Sequence, residues 1–246
     1  MSPLRLVTRQ TFNASNKWGN SFINGFLYFF SSIYLGTTVL MLVGRLHAQG
    51  LWKSVVFNRG PFALIARLFP YAFFYMTVIT AGSAGLYLFN SLRFMGNFLI
   101  YAPTIFMTAV AIGLMGMIIT WKHKTPAGGA AFMIFVVPPG FIMGGITIAT
   151  SYFPGWVYKF SYLFPLTWQY RFFRDMGLRG ETFREMLPTY GAHIIYIGIL
   201  MLIVTLLYYK TKKAHEDDLQ EPALPEEIGE PRDFSRLMKN SQADPS

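Results

Sequence analysis

The stretch Pro138–Gly180, PPGFIMGGITIATSYFPGWVYKFSYLFPLTWQYRFFRDMGLRG, decides how the rest of the chain is read. Its first half is apolar enough to sit in lipid, yet Pro138 and Pro139 each lack a backbone donor, and Gly140, Gly144 and Gly145 loosen the helix around them. Hydrocarbon offers no water to satisfy a freed backbone group, so one unbroken spanning helix is not expected here. After Ser151 the residues become aromatic and basic, with Lys159, Arg171 and Arg174 set among tyrosines, phenylalanines and tryptophans. That mixture belongs where a membrane meets water. The segment reads as a helix that enters the bilayer, breaks, and lies back along the interface.

Composition agrees. The 246 residues are 53% hydrophobic and 13% charged, and several uncharged runs reach the ~20 residues needed to cross a bilayer. The expected fold class is all-α, a polytopic membrane protein. A net charge of +9 is spread through loops rather than gathered into a stripe or arm, which points to a membrane surface and not to nucleic acid. The chain has no cysteine, so disulfides, thiolate catalysis and cysteine-ligated metals are excluded. All 12 acidic residues lie at or after Asp175. Paired-carboxylate catalysis and carboxylate metal cages are therefore excluded from the preceding part of the chain. No residue set calls for a cofactor or a metal.

Five spans are expected: Phe22–Gly44, Leu68–Asn90, Gly96–Trp121, a broken fourth after Pro126, and Thr189–Tyr209. Between the first two, Arg45–Arg67 places Leu51, Trp52, Val55 and Val56 near helical spacing with Lys53 and Arg59 among them, the pattern of a short amphipathic helix on the membrane face. Gly82, Gly85, Gly113 and Gly116 would let the second and third spans approach closely, and Gly140 with Gly144 has the spacing of a helix-dimer face. A polar lead, residues 1–20, precedes the membrane part (21–213), and an acidic, proline-rich tail, expected to be disordered, lies beyond it (214–246). The positive-inside rule is tied, with nine Lys and Arg expected on each side. The compact clusters Lys122–Lys124 and Lys210–Lys213 favour the cytoplasm for their side.

These features together resemble the permeases of ABC-2 type exporters. The carriers are the Gln49-Gly50-Leu51-Trp52 step and Ala66-Arg67-Leu68-Phe69-Pro70-Tyr71 ahead of the second span, then Met143-Gly144-Gly145, Phe153-Pro154-Gly155-Trp156, Phe164-Pro165-Leu166-Thr167 and Arg171 through Gly180. The likeness covers roughly residues 12–213 and matches the last five of the family's six spans. The lead is similar to the end of the family's extracytoplasmic domain. Where the family has a Glu-rich step, this chain has Arg45-Leu46-His47-Ala48-Gln49.

The resemblance implies export from the cytoplasm, in a bacterial inner membrane, of amphipathic, drug-like, lipid-linked or polysaccharide cargo. No phosphate-binding GxxxxGK[ST] stretch occurs, so ATP hydrolysis is expected on a separate ATP-binding subunit. Gln49, Leu51, Trp52, Lys53 and Arg59 would form the helix coupled to that subunit. Phe141, Met143, Gly144, Gly145, Tyr152 and Phe153 would line or gate the path, and Pro154, Trp156, Pro165 and Arg171 belong to the re-entrant segment. A second permease subunit and a periplasmic adaptor are the implied partners beside the bilayer. Two other readings of the same residues are a noncatalytic assembly scaffold, and a lipid-active enzyme using His47, His123 or His193 as its base. The histidines lie far apart in sequence and no nucleophile motif accompanies them.

Overall fold

A backbone in hydrocarbon must bond to itself, and long uncharged runs do this most simply as helices. The computed structural model describes residues 22–89, 92–121, 132–148 and 150–220, and every regular element among them is helical. In chain order these are α1 (Phe22–Ala48), α2 (Leu51–Ala66), α3 (Phe69–Leu88), α4 (Phe98–Thr120), α5 (Val137–Met143), α6 (Gly155–Ser161), α7 (Pro165–Phe172) and α8 (Phe183–Gln220). Short 3-10 turns precede α5 and α6, and a π-helical turn, Phe173–Leu178, extends α7. The lead, the Lys122-His123-Lys124 cluster and the tail beyond Gln220 lie outside the described residues.

Among the described residues, four helical stretches are long and apolar enough to cross a membrane: Phe22–Ala48, Gly60–Leu88, Phe98–Thr120 and Phe183–Ala214. The protein is therefore an all-helical, multi-pass membrane chain. Of the expected broken fourth crossing, the residues before Phe132 lie outside the described ones. Its described part, Met133–Met143, is apolar, and at 1.5 Å per residue that part alone covers about half of a ~30 Å hydrocarbon core. Within it the 3-10 turn Met133–Phe135 gives way to α5, and Pro138 and Pro139 sit in the first turn of α5, where a missing N–H is tolerated. The chain turns away at its end, where Gly145 adopts φ 86°, a backbone open to glycine.

Packing begins with α1, α3 and α4, each of which contacts the other two, while α7 lies against α4, α5 and α1. Of the glycines expected at the α3–α4 seam, Gly113 serves it at Leu68, the cap of α3, while Gly82 and Gly116 face α1. A methyl group on Gly82 would strike Leu27 of α1 at 2.7 Å, one on Gly113 would meet Leu68 at 3.0 Å, one on Gly116 would face Val39 of α1 at 3.7 Å, and Gly85 faces open space. Gly140 and Gly144 likewise form an intrachain seam: Cβ atoms there would lie 3.0 Å from Leu166 and 2.5 Å from Tyr170, both on α7.

The last helix starts at a capping box in which Glu185 accepts from the backbone N–H and the hydroxyl of Thr182, at 2.7 and 2.8 Å. It continues past the expected end of the span, so residues 214–220 of the anticipated tail are helical. The chain divides into units at Tyr209; of the unit that begins at Lys210, the described residues 210–220 are helix.

Candidate functional site

Two ends of the spans carry the residues singled out from sequence. At one end, α1 runs into α2 through Gln49-Gly50, with Gly50 left-handed at φ 67°. Trp52 is buried, its indole stacked on His47 with centroids 4.3 Å apart and edge-on to Trp121 at 5.2 Å. This aromatic trio ties the start of α2 to the ends of α1 and α4. Gln49 and Leu51 are exposed beside it, whereas the side chains of Lys53 and Arg59 lie outside the described ones. At Gly60 the backbone leaves helical geometry (φ 76°, ψ 168°) and Pro61 starts the segment that leads into α3. The first part of α2 is thus a separate short helix, kinked against the next span.

The opposite end is built from α5, α6, α7 and the α3–α4 turn. Met95 donates its backbone N–H to Gly177 O at 2.7 Å, and Tyr170 Oη donates to Gly25 O at 2.8 Å, which gathers the turn, the π segment and the start of α1. Phe141, expected on the path, is buried against Phe26, Phe29 and Tyr170. Gly144 is buried and Gly145, Met143 and Phe153 are half-buried, while Tyr152, Pro154 and Trp156 are exposed. Pro165 is buried at the first position of α7, where its ring and missing N–H suit the helix start.

Charge is concentrated here as well. Asp175 gathers three guanidinium groups: Arg179 at 2.9 Å, Arg174 at 3.5 Å and Arg171 at 3.6 Å. Arg179 also reaches Glu181 at 3.5 Å. Arg171 donates to the hydroxyl of Tyr162 and lies over its ring, 5.6 Å from the centroid, and Tyr162 shares a 2.6 Å hydrogen bond with Tyr158. Burial, together with the Tyr158 hydroxyl, pushes the Tyr162 phenol up to about 12 against the opposing pull of Arg171. Tyr162 is therefore a neutral phenol at physiological pH.

Between these ends runs a buried, uncharged hydrogen-bond seam. Tyr28 of α1 and Tyr101 of α4 share a 2.5 Å bond; Gln169 of α7 donates to Tyr101 Oη at 2.9 Å and accepts from Thr108 of α4 at 2.9 Å. Ser32 bonds Tyr75 at 3.0 Å, and Ser83 donates to Asn24 at 3.2 Å. The seam satisfies polar groups that lipid would leave bare.

A groove of about 750 Å³ opens between α1 and α3, lined by Ser31, Tyr34 and Thr38 on one wall and Tyr71, Phe74 and Tyr75 on the other. Its lining is apolar with hydroxyls interspersed. Sequence reasoning missed it, although a signal exists: Ser31, Tyr34, Leu35 and Thr38 recur at i, i+3, i+4 and i+7, which places a hydroxyl stripe on one face of an otherwise apolar span. No family model matches the chain, and no curated protein or solved structure matches it significantly.

Proposed function

We propose that this chain is the membrane-spanning subunit of an ATP-driven exporter of the ABC-2 type, working with a separate ATP-binding subunit and a second permease subunit in a bacterial inner membrane. The observation that carries the reading is the short helix that breaks at Gly144-Gly145 and leads into α6 and α7, with α7 packed back on it through Gly140 and Gly144. At the other end the kinked first part of α2 supports a coupling role, because it is a separate helix joined directly to a span. With Trp52 buried, Gln49 and Leu51 are the residues of the expected coupling set whose described side chains are exposed for docking. This end is then cytoplasmic. The groove between α1 and α3 favours an amphipathic cargo, whose apolar body meets Phe74 and Leu35 and whose polar group meets the hydroxyls.

The test is copurification of the full chain in mild detergents, then ATPase measurement. An ATP-binding subunit is expected to accompany the chain, and Leu51→Asp with Gln49→Ala is expected to release it while the chain stays in the membrane. Failure to retain any ATP-binding subunit in several detergents would overturn the exporter reading in favour of a scaffold.

A further inference from the structure

The geometry points to a site for an anionic phospholipid headgroup at the α6–α7 end, formed by Arg171 and Lys159 and flanked by the exposed aromatics of α6. It stands apart from whether the chain exports anything. Charge is the first argument. Among the described residues, Arg171, Arg174 and Arg179 face two carboxylates, Asp175 and Glu181, so the cluster there holds one positive charge in surplus. No earlier residue can neutralise it, because Asp175 is the first acidic side chain in the sequence.

Arg171 is the guanidinium best placed to carry that surplus outward. Its Nε lies 3.6 Å from Asp175, beyond a hydrogen bond, and its Nη1 is taken by Tyr162. The other terminal nitrogen makes no hydrogen bond among the described residues, and the side chain is 34% exposed. A planar guanidinium with a free edge suits a phosphate oxygen pair. By contrast, Arg174 turns toward Gly144 O at the end of α5, and Arg179 is held by Asp175 and Glu181.

Depth is the second argument. On and around α6, Trp156 is 72% exposed, Phe160 48% and Leu163 49%, with Lys159 exposed among them. Indole and phenyl rings beside a lysine on a short helix settle at the headgroup layer, where a phosphodiester is the abundant anion. The occupant is therefore a lipid of the surrounding bilayer, its phosphate on Arg171 and Lys159 and its acyl chains along Phe160 and Leu163.

Native mass spectrometry of the full chain, released from detergent containing equal phosphatidylglycerol and phosphatidylcholine, tests this. The parent is expected to retain phosphatidylglycerol preferentially. Lys159→Gln and Arg171→Gln are each expected to lower that retention about fivefold, and both together about 25-fold. Arg171→Lys should keep most of it, and Arg184→Gln, outside the cluster, all of it. Should Arg171→Gln fail to fold, the exposed Lys159→Gln decides alone. Equal retention of the two lipids by the parent, or unchanged retention in Lys159→Gln, overturns the site. Displacement of the lipid by inorganic phosphate, but not by chloride of equal ionic strength, would assign the cations to free phosphate and overturn the lipid reading.

Discussion

The imidazole of His193 lies flat against the indole of Trp168, the rings 4° from parallel with centroids 5.2 Å apart. Phe172 and Tyr196 close around it, His193 is fully buried, and neither ring nitrogen has a hydrogen-bond partner among the described residues. What holds it is ring packing between α7 and α8. His193→Phe keeps the stack and removes two unpartnered polar atoms, each of which costs about 1–3 kcal/mol when buried. The unfolding midpoint of the purified variant is expected to equal or exceed the parent's. A clear fall would show that the imidazole nitrogens are used.

Gln169 is the opposite case, a buried polar group with its partners in place. Its amide bridges Tyr101 and Thr108 inside the helix bundle, 0% exposed. Gln169→Leu preserves volume but strands the Thr108 hydroxyl, and a loss of about 2 kcal/mol is expected. Because one bond joins them, Thr108→Val and Gln169→Leu should combine less than additively, which a double-mutant cycle of thermal unfolding measures directly. Full additivity would mean that the two side chains do not interact.

The glycines separate close contact from mere composition. A Cβ on Gly144 would meet both Tyr170 Cδ2 and the backbone oxygen of Gly140 at 2.5 Å, and a backbone atom cannot step aside as a flexible side chain can. Gly144→Ala is expected to destabilise by about 1–3 kcal/mol. Gly85, in α3 with nothing within 4 Å of its would-be Cβ, should gain up to about 1 kcal/mol on conversion to alanine. Detergent-solubilised yield and melting temperature rank the two variants against the parent.

The same glycines mark how far the sequence can be read. Hydrophobic runs locate α1, α3 and α4 within a few residues and the middle of α8, which begins before Thr189 and runs on past Tyr209, because uncharged length is itself the physical requirement for crossing lipid. Partner choice is not encoded that way. Gly82 and Gly116 signal a close approach but not to which neighbour, and both face α1, at Leu27 and Val39, whereas Gly113 meets Leu68 at the head of α3 as the hairpin requires. Pro138 and Pro139 are equally ambiguous, since a proline suits the first turn of a helix as well as its interruption. Of the site, the basic and aromatic interface is visible in composition, and the buried state of Trp52 and Phe141 is not. An aromatic at helical spacing reads alike whether it faces a partner, a path or its own core. His47 and Trp121, which enclose Trp52, are separated by 74 positions, a pairing that only the fold reveals.

The kink at Gly60 offers the sharpest test of coupling. At φ 76° and ψ 168° the residue occupies a region that only glycine enters freely, so Gly60→Ala imposes roughly 1–3 kcal/mol of strain there. The strain falls between the first part of α2, the proposed docking segment, and α3, not inside either. If a partner's movement reaches the spans through this joint, Gly60→Ala is expected to leave the ATP-binding subunit bound while lowering cargo-stimulated ATPase activity several-fold. Leu51→Asp should instead remove the subunit altogether, and Trp52→Ala, by opening the packing against His47 and Trp121, should lower folded yield first. Those three variants separate loss of coupling, loss of docking and loss of structure. Parent-like stimulation in Gly60→Ala would place the mechanical link elsewhere in the chain.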